Sequence, residues 1–445
     1  MNDNNEARPC SPYPKVETGP LNDPTPRDQA IYVPAVSTNY IIDAYDKTLT
    51  KWSRMPSGVA PASMDFLDPA NDLFRISHVL YSAGQALMST RGELDTLPPN
   101  IVTMRDREST RLLVDSGGYQ IAKGRHWING HRDRLDILRW MEKHGDFGMT
   151  LDIPPGPVGV DPDYQFKSFG ECLSTTLDHL DFFHRYHERG HLKLLTVLHG
   201  RNEVEADQWY DACKVYPFAG WAFGGVLRHD FHQLCRRILI MEREGYIQDK
   251  CWIHILGTCE LETAVVLTGL QRSINRHINP NLRISFDTAS PAIAMSRGKT
   301  YTIPNFEAKH MSMPTKKAPD GIQFVGSGVR WPWPSPLGDR LVMGDMCIKR
   351  HVGARSNRDT ISNHFLTHHN LGALCWGIAL ANRIFDAEGL NRQHTISPHV
   401  GAAVEAIDQI LKAKSDSKLA AYEQTLSVLK HTNPLRSDDE ERDVI

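Results

Sequence analysis

The sequence predicts an α/β fold: a (β/α)8 barrel of the TIM type with an N-terminal extension and a mainly helical C-terminal section. Three observations lead there. From about residue 75 to residue 300, short apolar runs alternate with amphipathic stretches, which is the pattern of parallel strands covered by helices. No GxGxxG phrase of a doubly wound dinucleotide-binding sheet occurs among them, so a closed barrel is favoured. The runs also end on chemistry-bearing residues, as barrel strands do at the face that carries catalysis.

The strand candidates, in order, are SHVLYSAG (77–84), RLLVDSGG (111–118), FGMTLDIPP (147–155), LKLLTVLHG (192–200), GWAFGGV (220–226), CWIHILGT (251–258) and LRISFDTAS (282–290). GIQFVGSG (321–328) is the expected eighth. Between them, HRDRLDILRWMEKHG (131–145), ECLSTTLDHLDFFHRYHERG (171–190) and DFHQLCRRILIMEREG (230–245) read as helices. Ile137, Leu138 and Met141 fall on one side of the first of these and form its apolar stripe. Residues 1–30, rich in Asn, Asp, Pro and Glu, are expected to be disordered. Residues 31–300 form the barrel core with an N-terminal elaboration, and 301–435 complete the barrel and supply the helical section. That section holds a His-rich helix over 360–386 and a C-terminal helix from about 399 to 430. The acidic tail, 436–445, is expected to fray.

Composition narrows the function classes. At 445 residues, with 40% hydrophobic and 23% charged residues, the chain has the make-up of a globular enzyme. A formal net charge of −3 supplies no general attraction for nucleic acid, so any such contact must come from local basic patches. Cys10, Cys172, Cys213, Cys235, Cys251, Cys259, Cys347 and Cys375 contain no CxxC pair, and no secretory signal opens the chain. A reduced, cytoplasmic protein is therefore expected. No run approaches the roughly 18 apolar residues of a membrane span.

Two acidic phrases carry the chemistry. Asp115-Ser116-Gly117-Gly118-Tyr119-Gln120 follows the run Leu-Leu-Val, and Asp287-Thr288-Ala289-Ser290-Pro291 follows Arg-Ile-Ser-Phe. Each aspartate is thus placed at the C-terminal end of a buried strand, where two carboxylates can face one cavity. Paired carboxylates are what breaking and re-forming a glycosidic bond requires. Asp152, His199, Gly224, Gly225 and Gly257 occupy equivalent strand ends. Some of these have a second reading: Asp152 before Ile-Pro-Pro also starts a turn, and His199 is either a donor to substrate or a structural histidine. Tyr119 and Leu256 are equally ordinary packing residues of a barrel mouth.

In order and spacing, DSGGYQ, TLD, VLHGR, GWAFGGV, HILG and FDTASP resemble the strand-end motifs of the tRNA-guanine transglycosylase superfamily, across about half the chain. The resemblance implies a barrel enzyme that exchanges a guanine in a polynucleotide for a free 7-deazaguanine base. It implies Asp287 as the nucleophile on the sugar C1′ and Asp115 as the acid/base. Asp152 would read the guanine-type edge, with Gly225 and Val226 contacting the base through their backbone. Tyr119 and Leu256 would sandwich its ring, and Ser116, His199, Gly224 and Gly257 complete the substrate-binding set. His199 stands where that family usually has a glutamine.

Two departures bear on the polynucleotide. The loop after the nucleophile reads Pro291-Ala292-Ile293-Ala294-Met295-Ser296-Arg297 in place of a Pro-Thr-Arg-type tRNA grip. The three-cysteine zinc region of the tRNA enzymes is reduced to Asp345-Met346-Cys347-Ile348-Lys349-Arg350-His351. A substitute set, Cys347, His351, His364 and His368, has spacing that suits a structural zinc, while a zinc-free descendant is the alternative. Both losses resemble the DNA-acting branch of bacteria and phages, which inserts bases such as the 7-cyano precursor. DNA is therefore the expected partner, with no cofactor needed for the chemistry. Accessory DNA-opening proteins and a homo-oligomer are compatible with this reading. The alternatives are a tRNA enzyme of the same superfamily, a non-catalytic nucleic-acid-binding subunit, and a barrel glycosidase acting on free nucleosides or sugars. The basic stretches Arg125–Arg134, Arg228–Arg237, Lys309–Lys317 and Lys349–Arg358 are candidate phosphate contacts, and Trp331 and Trp333 candidate stacking platforms.

Overall fold

The computed structural model of the chain describes residues 28–48, 52–89, 97–118, 120, 130–188, 190–258, 260–306, 310–351, 353–387 and 397–429. The acidic tail, Tyr119, and the expected disordered segment as far as residue 27 lie outside these described residues.

Eight strands form one parallel sheet: β1 (Ile31–Pro34), β2 (His78–Ser82), β3 (Arg111–Asp115), β4 (Phe147–Met149), β5 (Lys193–Leu198), β6 (Gly220–Phe223), β7 (Trp252–Ile255) and β8 (Arg283–Thr288). From β2 to β8 each strand pairs with its neighbour in sequence, and β1 pairs with β8, setting Val33 opposite Asp287. A bridge between Ala35 and Leu80, with Val36 N–H donating to Leu80 O at 3.2 Å, closes the circle between β1 and β2. The fold is a (β/α)8 barrel. Its strands read as continuous apolar runs because both faces are covered, the inner by the opposite wall and the outer by helices.

One strand differs from expectation. The 321–328 segment is not a strand: Ile322–Phe324 is a single 3-10 turn, and Ile322 is 62% exposed. The eighth strand is β1, whose Ile-Tyr-Val-Pro residues are all buried. Four residues ending in proline, before a connection of more than forty residues to β2, give a weak signal. Pairing on both sides compensates for that shortness.

Helices begin and end where local chemistry provides for it. The Ser168 hydroxyl accepts from Glu171 N–H at the start of Phe169–Tyr186, and Asn202 does the same for Glu205 at Glu203–Cys213. The Asp230 carboxylate accepts from His232 and Gln233 N–H at Phe231–Glu244, which Gly245 ends at φ 81°. On His131–His144, Ile137, Leu138 and Met141 are fully buried.

After β8, helix Ser290–Ser296 is followed by an excursion with a two-stranded hairpin, β9 (Lys299–Tyr301) and β10 (Thr315–Lys317). Helix Thr360–Asp386 then packs on Ser290–Ser296 and on Leu261–His277, completing the helical layer. Helix Pro398–Ala413 lies over Leu261–His277, where Gly269 admits Val404: a Cβ at position 269 would sit 2.6 Å from its Cγ1. Covered by both Pro398–Ala413 and Thr360–Asp386, Leu261–His277 has most of its residues buried. The single C-terminal helix expected over 399–430 is broken instead at Lys414 (φ 50°), after which come Asp416–Ala421 and Glu423–Ser427. No helix among the described residues is long and apolar enough to cross a membrane.

Candidate active site

The barrel interior is apolar in its lower layers, where Ile31, Val33, Leu113, Phe147, Met149, Leu195, Val197 and Trp252 fill it. At the C-terminal ends of the strands the filling gives way to a cavity of about 210 Å³. This is smaller than the roughly 300–1,000 Å³ of drug-sized ligand sites. Asp115, Asp152, His199, Gly224, Gly225, Leu256, Gly257 and Asp287 all line it, so the structure gathers most of the residues singled out by sequence.

Each aspartate stands in a different environment. Asp287, on β8, is buried, and its Oδ1 accepts from Gly257 N–H at 2.8 Å and faces His254 Nε2 at 3.1 Å. A chain of contacts fixes that imidazole: Trp252 Nε1–H donates to Ser285 Oγ (2.7 Å), and Ser285 Oγ lies 2.8 Å from His254 Nδ1. The indole can only donate, so the serine hydroxyl is free to donate to Nδ1. The neutral tautomer bearing Nε2–H then satisfies every partner and presents its proton to Asp287. Asp115 receives a weaker share of donors. Its Oδ2 accepts from Gly117 N–H at 3.2 Å, and Ser82, opposite it on β2, also donates to the carboxylate. Burial, and then the charges of Asp152 and Asp287, outweigh these donors and push its pKa up to about 7.

Asp152 pairs through Oδ2 with His199 Nε2 at 2.7 Å, and both are buried. The His199 ring is held edge-on against Trp209, with ring centroids 5.3 Å apart. Glycine is required beside them. A Cβ on Gly224 would lie 2.6 Å from His199 Cε1, and one on Gly118 would lie 1.9 Å from the Asp152 carbonyl oxygen. At 118 the obstacle is backbone, and at 224 a side chain enters only by displacing the His199 ring.

Two candidates take other positions. Ser116 is fully buried behind the cavity, where its Oγ donates to Thr150 O at 3.3 Å. Val226 N–H donates to Gly200 O at 2.8 Å, so this backbone donor is already engaged. The candidate zinc ligands are also dispersed: they do not form a group whose ligand atoms all lie within 4.8 Å of one another. The Cys347 thiol faces Pro319 O, His351 is exposed, His364 Nε2 meets Asp43 Oδ2 at 2.6 Å, and His368 Nδ1 meets the Tyr40 hydroxyl at 2.5 Å. Burial lowers the pKa of His368 to about 3.

The basic stretches divide likewise. Arg236 and Arg237 are committed to Asp207, and Arg237 also lies 4.3 Å from the Tyr210 ring centroid. Arg358 faces Asp320 at 3.8 Å, and Lys309 is outside the described residues. Residues 125–129 of the first stretch also lie outside the described residues, and among the described residues of the four stretches Arg228 alone lines the cavity. Trp331 is buried against His369 and Trp333, an arrangement of packing and not of an open stacking surface.

Sequence reasoning passed over His254, Ser82 and Gln120. Ser82 and Gln120 line the cavity, and Gln120 Oε1 has no hydrogen-bond partner. His254 was readable in principle: on a strand, Trp252, His254 and Leu256 share one face, and Leu256 reaches the cavity. No family model matches the chain, and none of the curated proteins matches it.

Proposed function

We propose that the chain is a base-exchanging transglycosylase that replaces a guanine of DNA with a 7-deazaguanine through a covalent aspartyl-sugar intermediate. The observation that carries this reading is the pair Asp115 and Asp287 on one small cavity, the first holding a proton near neutral pH and the second fixed by two donors. The strand-end motifs, which resemble those of the tRNA-guanine transglycosylases, support it.

In the first displacement an Asp287 oxygen bonds to the sugar C1′ as the C1′–N9 bond breaks. The electron pair of that bond leaves with guanine, which takes the Asp115 proton. In the second, Asp115 accepts a proton from the incoming base as its nitrogen attacks C1′ and Asp287 departs. Two inversions give net retention, and each step passes through an oxocarbenium-like state that the nearby carboxylates stabilise. Gly257 N–H and His254 hold the nucleophile in one orientation, which limits the reorganisation needed at the moment of attack. Asp152, its Oδ2 paired with His199 Nε2, keeps Oδ1 as an acceptor for a guanine's N–H edge, and His199 orients that carboxylate. A duplex target must be turned out of its stack to reach a cavity this size, and Arg228 at the lining suits an adjacent phosphate.

DNA is favoured over tRNA by the loop after the nucleophile, which lacks the Pro-Thr-Arg grip, and by the dispersed cysteine and histidines of the former zinc region. The test is an exchange assay with labelled 7-cyano-7-deazaguanine and duplex DNA, single-stranded DNA or tRNA, beside an Asp287→Ala control. Label in DNA that the substitution abolishes supports the proposal. Label in tRNA alone transfers the activity to the tRNA reading. Incorporation that survives Asp287→Ala overturns the mechanism.

A further inference from the structure

We infer that a second site, on the outside of the barrel, binds one divalent transition-metal ion of the zinc class through Glu262, His310 and His399. Glu262 lies in the first turn of helix Leu261–His277, His310 in the excursion after β9, and His399 in the first turn of helix Pro398–Ala413. Their ligand atoms all fall within 4.8 Å of one another, and no other set of three His, Cys, Asp or Glu does so among the described residues. None of the three lines the cavity between Asp115 and Asp287.

The contacts are specific to each atom. Glu262 Oε1 lies 3.1 Å from His399 Nε2, and Oε2 lies 3.4 Å from His310 Nδ1. The two imidazole centroids are 5.2 Å apart, so both rings turn a nitrogen toward the same carboxylate. Met311 N–H donates to Oε1 at 2.8 Å and orients that carboxylate from behind, as outer partners of metal ligands do. The Glu262 side chain is only 5% exposed, a costly place for a negative charge without a cation. Among the described residues no lysine or arginine pairs with it, and the two imidazoles are its ionisable partners.

Two neutral imidazoles and one carboxylate form a donor set that suits zinc and its neighbours in the first transition row better than calcium or magnesium. The open side lies at His310, whose side chain is 55% exposed while that of His399 is 14% exposed. Water would complete the coordination there. The ligands come from positions 48 and 137 residues beyond Glu262, so the ion would tie the excursion and the C-terminal helix to the barrel wall. The Asn305–Ser312 bridge, with N–H···O contacts of 2.9 and 3.0 Å, carries the excursion up to that point.

The test uses the full chain, stripped with chelator and titrated with Zn²⁺ by calorimetry and with Co²⁺ by visible absorption. One equivalent of metal per chain is expected, with a rise in Tm that grows with metal concentration. His310→Ala should weaken Zn²⁺ binding at least tenfold, since losing even an outer partner of a ligand costs roughly 10–100-fold. Because His310 is largely exposed, the metal-free variant should unfold like the parent, which separates ligand loss from misfolding. His399→Ala should abolish the Co²⁺ spectrum. Absence of saturable binding, or binding unchanged by both substitutions, overturns the inference. Exchange activity does not enter the test, so its outcome is independent of the function proposed above.

Discussion

Replacing Asp115 by Asn should make the protein more stable at neutral and alkaline pH while abolishing base exchange. The folded chain holds the Asp115 carboxyl at about 7 against an ordinary 3.8. Between those values the unfolded chain has released its proton and the folded chain has not. Stability therefore falls as pH rises from about 4 to about 7, and the whole cost is present above 7. At 1.36 kcal/mol per pH unit that cost is about 4 kcal/mol, an upper figure because the carboxylate opens onto the cavity. Asn keeps an acceptor for Gly117 N–H and Ser82 and never ionises, so it escapes the penalty. The stability gap between Asp115→Asn and the parent should widen by about 2.5 kcal/mol between pH 5 and pH 8, or about 1 kcal/mol if solvent in the cavity screens half of it. Urea unfolding at the two pH values measures the gap directly. A gap that stays flat with pH would refute the argument, since it would place Asp115 among ordinary exposed carboxylates with no proton to give.

Three further outcomes follow from other parts of the molecule. His254→Phe keeps a ring in the barrel but removes the Nε2 contact to Asp287. A hydrogen bond to a charged group contributes about 1.5–3 kcal/mol, so the single-turnover rate of adduct formation should fall by about ten- to a hundred-fold with KM little changed. An unchanged rate would mean that Gly257 N–H alone orients the nucleophile. Gly224→Ala places a Cβ 2.6 Å from the His199 ring, so the ring must swing away from Asp152. KM for the free base should rise on the order of tenfold, while unfolding free energy drops by the roughly 1–3 kcal/mol of overpacking. Burial lowers the pKa of His368 to about 3, so with His369 and His179, both lowered to about 4, it contributes to the loss of stability in acid. The unfolded chain takes up the His368 proton first, so its contribution is full above about pH 6.5 and falls with acid, by about 2 kcal/mol at pH 5. His368→Gln should remove that part of the acid slope in thermal unfolding, and an unchanged slope would show that His368 is not its source.

The extent to which the site was legible depends on how its parts are encoded. Strand ends are local features: an apolar run followed by Asp-Ser-Gly or Asp-Thr-Ala marks one whether or not its neighbours are known, which is why Asp115, Asp152, His199 and Asp287 were found. What joins them is set by register. The run from Trp252 through Ser285 and His254 to Asp287 exists because His254 stands opposite Ser285 across β7 and β8. Nothing within either strand states that pairing. The same limit explains the histidines of Thr360–Asp386. Their spacing correctly places His364 and His368 on one helix face, but spacing does not say what that face meets. It meets helix Thr38–Tyr45, more than three hundred residues away in sequence, where Asp43 and Tyr40 take the ring nitrogens. β1 escaped notice for a related reason, since a four-residue run gains its identity only when β8 and β2 flank it.

The two cavity aspartates have the same residue type and equivalent strand-end positions, so their different roles must come from their surroundings. Asp287 is met by a peptide N–H and by an imidazole that the Trp252–Ser285 contacts turn toward it. Those donors hold the carboxylate in one orientation, as the attack proposed for it requires. Asp115 lies close enough to Asp152 and Asp287 to feel both charges, in a place where burial already disfavours a third. Asp115 is therefore the carboxyl suited to carry a proton near neutral pH. His199 adds to the arrangement by giving Asp152 a partner of its own. In the mechanism proposed above, acid and nucleophile are separated by the arrangement of donors on β7 and the loop after it, together with their scarcity around β3.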